Sequence, residues 1–78
     1  GRLMPQRLLL DRDARILTED ETGIEVQGAL RLSPGHDVDV ITHDPAAGRS
    51  VRRALVLTWR IATLSSRGPI YRGYCRWM

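Results

Sequence analysis

Two segments of this chain alternate apolar and polar side chains with a period of two, which predicts β-strands. In the first segment, 24–32, one parity holds four aliphatic residues and Gly28, and the other holds Glu, Gln, Ala and Arg. Successive side chains of a strand point to opposite faces, so this pattern is typical of a strand with one buried face. Gly28 in its middle predicts a bulge or a sharp bend, which curls a short sheet.

The second segment, 51–62, contains the run RRALVLTWRIA and predicts a longer strand. Its odd positions are apolar except for Arg53. We predict that this parity faces the core, with Leu55, Leu57 and Trp59 pointing inward together. The β-branched and aromatic side chains favour a strand over the helix that the same spacing would also allow.

Glycine and proline mark the turns between these segments. The stretch SPGH, 33–36, predicts a type II turn with Gly35 at positive φ. Because this connection is so short, segments 24–32 and 37–42 are predicted to form an antiparallel hairpin. The long strand 51–62 is predicted to pair with the strand before it. Further turns are predicted at 43–48 and 65–69.

The two ends of the chain contribute further strands. The C-terminal segment 70–77 alternates again, with Cys75 and Trp77 on the parity assigned to the core. Near the start, 14–18 predicts a short strand, and 7–15 fits either a strand or a turn of helix. Five or six short strands separated by Gly, Pro and Asp turns predict an all-β fold, a small antiparallel β-barrel or strongly bent sheet.

A chain of 78 residues holds one domain at most. We expect 14–78 to form the barrel and 1–13 to be an N-terminal arm or a truncated first strand. An apolar fraction of 42% with 27% charged residues is typical of a folded soluble domain. All twelve basic residues are arginine, and we interpret them as scattered along the chain, a composition that genomic base content explains as well as ligand chemistry.

The cysteine and hydropathy patterns predict a cellular location. The single cysteine, Cys75, excludes an intramolecular disulfide and fits a reducing compartment, so we expect the cytoplasm. No apolar stretch approaches the length of a membrane span, and the N-terminus lacks the order of a secretory signal. We therefore expect no membrane insertion.

The residue types that catalysis needs are present, but they do not form a recognisable constellation. His36 and His43 lie at a turn and a strand end beside aspartates, and their spacing matches no zinc signature. Cys75 is predicted to be a small buried hydrophobe. The acidic run 18–22 is interpreted as a solvated loop because its carboxylates repel one another. We predict that the protein is not an enzyme and binds no metal.

A single-stranded nucleic-acid interface is one alternative function, since small barrels bind single strands by stacking bases in a basic groove. The parity assignment places both tryptophans in the core, and nine acidic residues dilute the positive field, so nucleic acid is the weaker alternative. The candidates for such an interface are Trp59, Tyr74, Trp77, Arg60, Arg72 and Arg76.

Four segments between residues 16 and 77 occur in an order that resembles a PilZ domain: TGIEV, LRLSPGHDVDV, ALVLTWRI and IYRGYCRW. The resemblance implies a PilZ-like β-barrel. PilZ domains are typically receptors for cyclic di-GMP. They bind it through an Arg-x-x-x-Arg motif on an N-terminal arm and an Asp/Asn-x-Ser-x-x-Gly loop.

The chain matches these two motifs only in part. Gly23 stands at the glycine of the loop motif, with Asp20 in the place of its serine and Thr18 in the place of its Asp/Asn. The acidic side chains around Asp20 would repel a dianionic ligand. The arginines available for the arm motif, none of which are four positions apart, are Arg7, Arg12 and Arg15.

The resemblance therefore implies a non-catalytic, PilZ-like regulatory or adaptor module of bacterial cyclic di-GMP-linked signalling. Such a module would act mainly through contacts with a protein partner, as family members without the motifs do, with nucleotide binding weak or lost and no cofactor. The first alternative is a functional cyclic di-GMP receptor. The residues that would bind its ligand are Arg7, Arg12, Arg15 and Gly23.

Overall fold

The computed structural model describes residues 6–10 and 12–78, and every regular element in this part of the chain is a β-strand. The all-β class is confirmed. The strands are β1 (Gln6–Leu9), β2 (Ala14–Glu19), β3 (Gly23–Gly28), β4 (Asp37–Asp44), β5 (Gly48–Ser65) and β6 (Gly68–Trp77).

The six strands form one mixed sheet in the order β1-β4-β5-β6-β3-β2. β1 lies parallel to β4, and the other four neighbouring pairs are antiparallel. The prediction of a purely antiparallel sheet is therefore wrong at β1. The predicted N-terminal segment 1–13 contains β1, which belongs to the same sheet as the rest, while residues 1–5 and 11 lie outside the described part.

The predicted hairpin between 24–32 and 37–42 is also wrong. β3 pairs with β2 and β6, whereas β4 pairs with β1 and β5. The strand ends at Gly28, which packs so closely on Ala14 that a Cβ atom would overlap its backbone. The turn itself is confirmed, since Gly35 has φ of 85° and the His36 N–H donates to the Ser33 carbonyl at 3.2 Å. This turn lies at the end of the loop that connects β3 to β4.

The two ends of the sheet, β1 and β2, are consecutive in the chain. Two hydrogen bonds close the turn that joins them: the Leu9 N–H donates to Asp13 Oδ2 at 2.9 Å, and the Asp13 N–H donates to the Leu9 carbonyl at 2.7 Å. Leu10 and Ala14 form a single bridge. No ladder connects β1 to β2 in the described residues, so the closure of the sheet into a barrel stays a prediction.

The length of β5 requires a bend in the sheet. Its 18 residues would extend about 60 Å if straight, but the longest dimension of the molecule is 35 Å. The register between β5 and β6 shifts at Leu57 and again at Ala62. Such bulges bend a strand and increase its twist, so they fold β5 within the molecule.

The core lies on one face of the bent sheet. In β3 and β6 the predicted parity is confirmed, because Ile24, Val26 and Cys75 are fully buried. Around these residues pack Leu8, Ala14, Leu32, Val38, Val40, Ala54 and Val56, with Leu10, Leu30, Trp59 and Trp77 partly buried at the margin.

In β5 the predicted parity is wrong. Ala54 and Val56 are fully buried, whereas Leu57 is 44% exposed and Val51 56% exposed. Ala54 is the register partner of Trp77, so a small residue of β5 leaves room for the indole at the margin of the core. The bulge at Leu57 then reverses the facing of the following residues. Trp59 packs against the core, as predicted, only because of this shift.

Candidate functional site

The three N-terminal arginines predicted to bind a nucleotide lie on separate parts of the sheet. Arg7 is on β1 with Asp39 as its register partner, and Arg15 is on β2 opposite Gln27. Arg12 lies in the turn between these strands. All three side chains are exposed. They occupy both ends of the strand order and the turn that connects them, so no single strand presents them together.

The loop before β3 is closed on its own carboxylate. Asp20 Oδ1 accepts hydrogen bonds from the Thr22 N–H at 2.8 Å, the Thr22 hydroxyl at 2.7 Å and the Gly23 N–H at 3.0 Å. These bonds favour the ionised form, and the one from the Thr22 hydroxyl contributes most to lowering the pKa of Asp20. These N–H and hydroxyl donors already bond to Asp20, so they are not available to an anionic ligand.

Gly23 has a packing role in this loop. A Cβ atom at this position would lie 2.5 Å from the Tyr74 hydroxyl oxygen and closer still to the Cys75 carbonyl oxygen. The Tyr74 hydroxyl is also within 2.9 Å of the Thr22 hydroxyl. The glycine that matches the family motif is thus required for the close contact between β3 and β6.

The two tryptophans belong to the core margin. The Trp59 indole N–H donates to the Leu30 carbonyl at 3.2 Å, and the Trp77 indole N–H donates to the Asp20 carbonyl at 3.2 Å. The Arg52 guanidinium covers the Trp77 ring, 4.2 Å from its centroid. Base stacking needs open aromatic faces, so this arrangement gives little support to the nucleic-acid alternative.

The remaining candidates for chemistry are dispersed or buried. His36 and His43 are exposed, and no group of three His, Cys, Asp or Glu side chains in the described ranges could hold a metal ion. Cys75 is fully buried, as predicted, and desolvation raises the pKa of its thiol to about 11. The described residues contain no helix with the length and hydropathy of a membrane span.

The part of the molecule that sequence reasoning missed is the far end of the β5–β6 hairpin. β4 pairs with β5 only as far as Leu55, and β3 pairs with β6 only from Tyr71 onward. We call residues 57–65 and 68–71 the hairpin extension. Within it, the described residues give β5 a strand neighbour on its β6 side alone. No strand in residues 6–10 and 12–78 pairs with the opposite edge, which we call the free edge of β5, and Leu57, Ile61 and Leu64 are 44%, 55% and 76% exposed.

A cleft of about 380 Å³ lies beside this edge, between β5 and the loop that crosses from β3 to β4. Its walls combine apolar and aromatic side chains with a serine and two guanidinium groups, and no carboxylate of the described residues lines it. We call it the extension cleft. The lining residues are Arg31, Leu32, Ser33, Pro34, Trp59, Arg60, Ile61 and Tyr71.

Acidic and basic residues are strongly segregated along the sequence. All nine acidic residues occur at or before Asp44, and the seven arginines that follow it have no acidic residue among them. This segregation is the sequence signal that predicts a basic hairpin, in place of the scattered arginines expected above. The one ion pair within the described residues joins Arg53 Nε to Asp39 Oδ1 at 3.0 Å, outside the extension.

Arg60 and Arg72 are register partners on β5 and β6. Like charges directly opposite each other destabilise a sheet. The Arg72 guanidinium is held by Gln27, whose Oε1 accepts from Nε at 3.1 Å and Nη2 at 2.9 Å, and this neutral amide supplies no opposite charge. The extension thus combines a free strand edge, exposed apolar side chains and one arginine, Arg60, that forms no ion pair in the described residues.

No protein-family model, curated protein or solved structure matches this chain.

Proposed function

We propose that this chain is a non-catalytic, PilZ-like regulatory or adaptor module that binds a protein partner by strand addition at the free edge of β5, with cyclic di-GMP binding weak or lost. The order of the four sequence segments supports the family assignment. The observation that carries the proposed mode of action is the edge of residues 57–65 that no described strand pairs with.

A free strand edge is a template for another strand, because its N–H and carbonyl groups have no neighbour. Natural proteins usually block such edges with charges or proline. Residues 57–65, LTWRIATLS, contain no proline and only one charged side chain, Arg60. Its exposed apolar residues Leu57, Ile61 and Leu64 offer side-chain contacts to an added strand. This edge is therefore suited to an extended segment of a partner protein.

The closed loop at Asp20 supports the loss of nucleotide binding. Its backbone donors are occupied by a carboxylate whose charge opposes a phosphate. Calorimetric titration with cyclic di-GMP is expected to give no saturable heat at micromolar protein. Saturable binding that disappears when Arg7, Arg12 and Arg15 are all changed to alanine would instead establish the receptor alternative.

Strand addition is tested by removing one donor from the free edge. Val56 directs its peptide groups to the β4 side, where its carbonyl accepts from the Gly35 N–H at 2.7 Å and its N–H donates to the His36 carbonyl at 3.0 Å. Beyond the bulge at Leu57, Trp59 and Ile61 have the orientation that Val56 has before it. The Ile61 N–H therefore points away from β6, toward the free edge. Ile61→Pro removes that donor and leaves the β5–β6 ladder paired. Ile61→Val retains the donor and is the matched control.

The measurement is a selection of random displayed peptides on the wild-type protein, followed by binding to both variants. We expect the enriched peptides to bind Ile61→Val as they bind the wild type and to lose binding to Ile61→Pro. Circular dichroism establishes that both variants are folded. Peptides that bind the folded proline variant undiminished, or a selection that enriches none, would overturn strand addition.

A further inference from the structure

We infer that the segment bound at the β5 edge is acidic, with a carboxylate opposite Arg60 and a second carboxylate within reach of Arg31. This inference rests on the proposed strand addition and specifies the chemistry of the partner. It follows from the charge of the extension cleft, the register at Arg60 and the position of Glu25.

The charge of the cleft favours an anionic occupant. Arg31 and Arg60 both line it and both are exposed, and among the residues that the structure describes no Asp or Glu contributes to its walls. Neither arginine has an ion-pair partner in the described part of the chain. Arginine binds carboxylates with two parallel hydrogen bonds, which gives such a site direction as well as charge. A basic segment in the same cleft would meet only repulsion.

The register at Arg60 fixes where the first carboxylate belongs. On its β6 side Arg60 faces Arg72, a like charge. On its free side an added strand places one residue directly opposite Arg60, with about 5 Å between the Cβ atoms. The same sheet already uses this arrangement, since Asp39 is the register partner of Arg53 and forms its ion pair. A carboxylate opposite Arg60 would repeat that pair and balance the repulsion from Arg72.

The face of the sheet that carries the Arg60 and Arg72 side chains is a poorer site for a small anion than the edge of β5. A second hollow of about 280 Å³ lies between Arg60 and Arg72, but Glu25 also lines it. That carboxylate opposes an anion bound there. Glu25 belongs to β3, which β6 separates from β5, so it is about two strand spacings from the free edge. The acidic ligand is therefore favoured at the edge of β5.

Two synthetic peptides test the inference, one alternating Glu and Val and one alternating Lys and Val, each as long as segment 57–65. Both have strand-forming valines, and the residues between the valines are negatively charged in one peptide and positively charged in the other. Fluorescence anisotropy of labelled peptides measures their binding to the wild type, to Arg31→Gln, to Arg60→Gln and to Ile61→Pro. Arg49→Gln is the matched control, because Arg49 is an exposed arginine at the opposite end of β5.

We expect the Glu–Val peptide to bind the wild type and Arg49→Gln equally, to bind Arg31→Gln and Arg60→Gln about two- to fivefold more weakly, as for exposed ion pairs, and not to bind Ile61→Pro. The Lys–Val peptide should not bind. Equal binding of both peptides, lost in Ile61→Pro, would overturn the acidic preference and leave strand addition intact.

Other outcomes separate the remaining alternatives. Binding of the Glu–Val peptide that persists in Ile61→Pro and weakens in Arg60→Gln would indicate a general polyanion surface and overturn both the inference and strand addition. Failure of both peptides to bind would overturn the acidic preference, while the displayed library reports separately on strand addition.

Discussion

Replacing Val56 with alanine is expected to destabilise the protein much more than the same replacement at Val51. Val56 is fully buried, whereas Val51 is 56% exposed on the opposite face of β5. Loss of two buried methyl groups costs about 1.6 kcal/mol at Val56, and the cavity raises this to about 2–3 kcal/mol. At Val51 less than half of the side-chain surface is buried, so the substitution removes less buried apolar area and leaves no cavity. The cost therefore stays below about 1 kcal/mol.

Because both changes are Val→Ala in one strand, the loss of β-propensity is similar and largely cancels in the comparison. Urea unfolding followed by tryptophan fluorescence measures the free energy of unfolding, and equal m-values establish that the unfolding transition is unchanged. The Val56→Ala variant should melt roughly 10–20 °C below the wild type. A Val51→Ala variant that is as unstable as Val56→Ala would refute the inward facing of Val56 and the role of the bulge at Leu57.

Two further predictions concern titratable groups. The pKa of Asp20 is lowered from 3.8, so the stability that its ionised form contributes is present above about pH 4 and is lost as the pH falls through the folded-state pKa. The free energy of unfolding should therefore fall less steeply with decreasing pH in Asp20→Asn than in the wild type. Identical pH dependence of the two proteins would contradict this. Burial raises the pKa of Cys75 from 9.0 to about 11, so stability should fall as the pH rises from 9 toward 11. Iodoacetamide should therefore alkylate the native protein at pH 8 far more slowly than the urea-unfolded chain, and equal rates would exclude a buried thiol.

The strands and turns were predictable from the sequence because they depend on local signals. Alternation identified β3, β5 and β6, and the SPGH turn has the positive φ at Gly35 that its glycine indicates. The inward parity of β3 was also predictable, since its ladder with β6 has no register shift. In β5 one bulge at Leu57 reverses the facing, and neither its position nor its effect is visible in a period-two pattern.

Strand pairing was not predictable, because it depends on contacts between distant residues. Leu30 and Leu32 continue the alternation of β3 although they lie in a loop, so the pattern alone made a hairpin with β4 look natural. The parallel pairing of β1 with β4 has no short-range signal either.

The candidate site was also predictable from the sequence only in part. Its charge is readable from the sequence, since no acidic residue follows Asp44. Its free edge is not, because that edge exists only where β4 stops pairing with β5 at Leu55.

The strand order also determines how the polypeptide can assemble. β4, β5 and β6 are joined by short turns and form a meander, to which β1 adds on one side and the β2–β3 hairpin on the other. β1, β2 and β3 thus supply both flanks of a centre that is synthesised after them. β1 has no pairing partner until β4 has left the ribosome, and β3 lacks its β6 neighbour until the last strand emerges. Folding of this small protein is consequently a late event, governed by contacts of long sequence separation.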